Sequence, residues 1–96
     1  MNTQEFIEHT RNHKAPEATW PFPLQALWYA QIGEWDRAHQ VTQQEDTPAC
    51  AWVHAYLHRE EGDLSNARYW YARAKQPESS ATLDEERMEL ISSLLA

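Results

Sequence analysis

Two histidines four residues apart, His54 and His58, are the pair in this sequence best spaced to do chemistry. On a helix, residues i and i+4 share a face, and two imidazoles so placed can chelate a transition metal. A third ligand could come from His39 or Asp46 if the element carrying them packs against the histidine pair, giving a zinc-type site and, with one position open, the chemistry of a metal-dependent hydrolase. The glutamate that directly follows the first histidine in the helical zinc-protease motif is replaced here by Ala55. Histidines satisfied by hydrogen bonds in an aromatic seam are the commoner case, so the first expectation is a chain without metal, cofactor or catalysis, and the metal- or ligand-binding protein is its alternative. Cys50 precedes His54 by one helical turn, but a thiol and an imidazole at that spacing are usually coincidence.

These residues need elements to hold them, and the chain has the size for one domain only: 96 residues, 42% hydrophobic, with five Trp, four Tyr and two Phe to fill its interior. Its only two glycines, Gly33 and Gly62, lie 29 positions apart, and the same offset pairs Ala26 with Ala55, Glu34 with Asp63, Trp35 with Leu64 and Ala38 with Ala67. This is an internal repeat of helix, glycine turn, helix, in which the glycine takes the left-handed conformation that ends one helix and the following acid favours the start of the next. The first hairpin is predicted over residues 23–45 and the second over 47–77, with Thr47 as N-cap and Pro48 in the first turn. A last helix over 82–96 starts with a capping box, Thr82 and Glu85, and reads as a cap on the stack. Its Asp84, Glu85 and Glu86 read as a solvated first turn. Residues 1–22 hold a short helix begun by Asn2 and Glu5, then a loop. The rings Trp28, Trp35, Trp52, Tyr56, Trp70 and Tyr71 could line a ligand pocket, although most are expected to be core.

Ala55, Gly62-Asp63-Leu64, Ala67, Tyr71, Ala74 and Pro77 resemble the signature order of the tetratricopeptide repeat (TPR), and the run from Ala51 to Tyr71 is similar to a family of short bacterial proteins. The resemblance implies an all-α fold of two tandem TPR-like hairpins with a C-terminal capping helix and a short N-terminal helix. It also implies a groove lined by the first helix of each hairpin, so that Trp52, Tyr56, Arg59, Leu27 and Gln31 would meet a peptide or partner protein, while His54 and His58 would face the second helix. A protein-interaction module is therefore the expected function, with self-association into a homodimer as a supplement. The net charge of -7 repels nucleic acid and anionic lipid, and no apolar run has the length of a signal or membrane segment, so no nucleic-acid or membrane partner and a cytoplasmic location are expected.

Overall fold

The computed structural model describes all of residues 1–96, which form six helices and no strand: α1 (Thr3–Asn12), α2 (Phe22–Gln31), α3 (Trp35–Thr42), α4 (Pro48–Glu60), α5 (Leu64–Ala74) and α6 (Leu83–Leu95). The all-α expectation holds. Local signals place most helix ends. The Asn2 side chain accepts from Glu5 N and the Glu5 carboxylate accepts from Asn2 N, and Thr82 and Glu85 repeat this reciprocal cap at α6. Thr47 caps α4 and Asp63 caps α5 through their side chains.

The two glycine turns use the same device. Gly33 and Gly62 sit at φ of 81° and 87°, where a side chain would strain the backbone. The residues after them close six-residue turns, Glu34 N to Tyr29 O and Asp63 N to His58 O, each at 2.9 Å. This is the Schellman arrangement, which satisfies carbonyls that a helix end would leave bare. α2 packs with α3, and α4 with α5, while Trp35 Nε1 donates to Leu57 O at 2.7 Å and ties the first hairpin to the second. α3 stops at Thr42, three residues short of the end predicted for the first hairpin, because Thr42 turns its hydroxyl back to His39 O and Gln43 begins a turn.

α6 departs from the role read for it. It packs on α1, α2 and α4, not as another layer beside α5, and its Leu90 and Ile91 join Phe6, Leu27, Trp28, Tyr56 and Leu57 in one fully buried core. Leu64, paired with Trp35 in the repeat, is consequently 56% exposed, since no further helix covers it. The acidic first turn of α6 is also not wholly solvated. Glu86 is 1% exposed: one oxygen accepts from Arg59 Nη1 at 2.9 Å and the other from the Tyr71 hydroxyl at 2.6 Å. Arg59 also donates to Ala81 O, and Arg87 donates to Gln31 Oε1 at 2.8 Å and to the Tyr56 hydroxyl at 3.0 Å.

A histidine cluster between the hairpins

Those contacts decide where the five predicted partner-binding residues go. Tyr56 and Leu27 have no exposed surface, Arg59 and Gln31 hold α6 by polar contacts, and Trp52 is half-buried against the core. The first-helix face is thus the seat of α6 and not an open groove. The reason is physical: α6 offers an apolar stripe in Leu90 and Ile91, and α2 and α4 offer Leu27, Trp28, Tyr56 and Leu57 for it to bury.

The opposite face of α4 brings the predicted metal candidates together. One ring nitrogen from each of His39, His54 and His58 lies within 4.8 Å of the others. His54 and His58 stack at a centroid distance of 4.8 Å, and His39 of α3 meets His54 edge-on at 4.6 Å. Three nitrogens around one zinc at its normal bond length sit about 3.4 Å apart, a spacing that falls inside the 4.8 Å spread of this cluster. Asp46, the other candidate third ligand, is not in this cluster; it lies 83% exposed in the α3–α4 turn, accepting from Arg73 Nη2 at 2.9 Å.

Indoles brace the cluster on both sides. Trp35 stacks on His39 at 4.8 Å with the planes 11° apart, and Trp70 of α5 stacks on His54 at 3.9 Å and 13°. His54 lies against Trp70 of α5, the second helix of its hairpin, whereas His58 turns towards Trp35 and His39 of the first hairpin.

Protonation favours ligation. Burial, followed by the proximity of His39 and His58, lowers the His54 pKa to about 3, and burial with His58 lowers that of His39. Both rings are therefore neutral at pH 7, which is the form that binds metal. Neither makes a hydrogen bond to the protein, whereas His58 Nδ1 lies 2.7 Å from the Glu61 carboxylate. A carboxylate only accepts, so Nδ1 carries the proton and, in the neutral ring, Nε2 is left as the donor atom, the arrangement in which a carboxylate orients a metal-binding imidazole. Glu61 was missed in the sequence, although its spacing of three from His58 on a helix was the available signal.

The same logic argues against the other histidine cluster, His9, His13 and Glu17. His9 Nδ1 accepts from Trp28 Nε1 at 2.9 Å, and an indole can only donate, so the His9 proton sits on Nε2 and points to Glu17 at 3.1 Å. That ring has no free lone pair. The third group, His58 with Glu61 and Asp63, uses residues already committed: Glu61 accepts from His58, and Asp63 caps α5. Cys50 is 1% exposed and burial raises its pKa, the reverse of an activated thiol.

Comparison of the chain with protein-family models, with curated proteins and with solved structures finds no match.

Proposed function

We propose that this protein binds a transition-metal ion, with His39, His54 and His58 as its protein ligands. The observation that carries the reading is a cluster of three imidazoles from two hairpins, two of them neutral by burial and the third oriented by Glu61. Three nitrogen donors without thiolate or carboxylate suit zinc, copper(II) or nickel, and a three-histidine zinc keeps a position free for water or another ligand. A peptide- or protein-binding role on the face of Trp52, Tyr56, Arg59, Leu27 and Gln31 is the weaker reading, because α6 would have to leave a buried core to uncover it.

Untagged protein dialysed against zinc and analysed for metal tests the proposal. The expected result is one equivalent bound, lost in the His54→Ala and His58→Ala variants while circular dichroism keeps its helical signal. Stoichiometric zinc in both variants, or none in the wild type, would overturn it.

A further inference from the structure

The histidine cluster borders a pocket of about 300 Å³ at the C-terminal end of α3 and the N-terminal end of α4. His54 belongs to both, as a ligand candidate and as part of the pocket wall. Trp70 supplies an apolar side, Thr47 a hydroxyl, and Arg73 and Asp46 the charged rim. The volume lies at the lower end of what small-molecule sites occupy, enough for a ligand of a few heavy atoms.

Arg73 has the character of a carboxylate receptor. Its guanidinium lies 5.4 Å from the Trp70 ring centroid, Nη2 donates to Asp46 and Nη1 donates to Tyr69, while its Nε makes no hydrogen bond. Its present partner, Asp46, is itself a carboxylate, on an exposed turn and easily displaced. Glu45 also lines the pocket, so the pocket's two carboxylates outweigh the one guanidinium; a divalent ion in the cluster reverses the balance to a single net positive charge, which a monoanion neutralises and a dianion overshoots.

We propose that the fourth position of a metal held by His39, His54 and His58 opens into this pocket and takes one oxygen of a small monocarboxylate, whose other oxygen is met by Arg73. The inference rests on the metal-binding reading above. The occupant is thus a compound with one carboxylate and a short apolar body that fits against Trp70.

Cobalt(II) serves as the test metal, because its visible absorption reports both its binding and its coordination. The full-length protein is loaded with cobalt and titrated with acetate. The expected result is a change in the cobalt bands that saturates with acetate. In Arg73→Ala the acetate affinity should fall about five- to tenfold, since a charged hydrogen bond is lost at a partly exposed site. In Asp46→Asn it should rise, the internal competitor being gone. Cobalt bands that appear but ignore acetate would overturn this inference and leave the metal site standing. An acetate response of equal affinity in Arg73→Ala would overturn the placement in the pocket. Absence of cobalt bands in the wild type would overturn the metal reading itself and this inference with it.

Discussion

Two histidine pairs at identical helical spacing, His9-His13 and His54-His58, are held in opposite ways, and the difference lies in what His9 and His58 touch. An indole donor holds the lone pair of His9, while a carboxylate acceptor holds the proton of His58 and frees its Nε2. Spacing alone cannot separate the two, since the discriminating partners are Trp28, from another helix, and Glu61, one turn on. This gives Glu61 a role that can be measured. In Glu61→Ala the His58 proton is free to move to Nε2 and the ring to turn, so zinc affinity should fall about tenfold or more, as for other outer partners of metal-bound histidine. Because Glu61 is 38% exposed, its loss should cost folding stability less than about 1 kcal/mol. Competition against a chromophoric chelator reads the affinity and urea unfolding reads the stability. An unchanged affinity would remove Glu61 from the site.

At the scale of elements, one buried carboxylate is among the contacts that fasten α6. Glu86 receives Arg59 and the Tyr71 hydroxyl, and the shift of the Tyr71 pKa to well above its usual value follows from burial first and from this carboxylate second. Glu86→Ala would leave a guanidinium that is 17% exposed and a buried hydroxyl without their acceptor, and should destabilise the fold by about 3 kcal/mol, whereas Glu86→Gln keeps an acceptor and should cost less. Urea midpoints of the two variants check the order; equal costs would mean that volume, not charge, holds α6. This helix also marks where sequence reading ran out. The caps at Asn2, Thr47, Asp63 and Thr82 and the turns at Gly33 and Gly62 were legible because each is decided within about six residues. The destination of α6 was not, because an apolar stripe is compatible with any apolar face. The fates of Tyr56, Leu27 and Glu86 depended on that destination. For the same reason the choice between His39 and Asp46 as third ligand stayed open until the packing of α3 on α4 was known.

For the molecule as a whole, folding α6 back across α2 and α4 gives a radius of gyration of 12.2 Å, close to the roughly 12.5 Å of a globular chain of this length and unlike an extended superhelix. Such a small domain has a stability of only some 5–10 kcal/mol. Keeping a histidine neutral in its interior is then a visible fraction of the total. The pKa of His54 is about 3 in the folded chain and 6.5 when unfolded, so between those values the unfolded chain binds a proton that the native chain refuses. The contribution is fully present above pH 6.5 and is lost as pH falls towards 3, at about 1 kcal/mol per pH unit, with His39 acting in the same direction. Carboxylates titrate over part of this range in any acidic protein, so the decisive quantity is the difference between wild type and His54→Gln. Metal-free wild type should lose about 2 kcal/mol between pH 7 and pH 5 from His54 alone, and the variant should lose correspondingly less. Zinc at about a hundredfold excess over its dissociation constant at pH 7 should raise the wild-type midpoint by about 10 °C or more and leave that of the variant in place. Parallel pH profiles would show that His54 is not held neutral by the fold, and equal zinc shifts would show that the ion binds elsewhere.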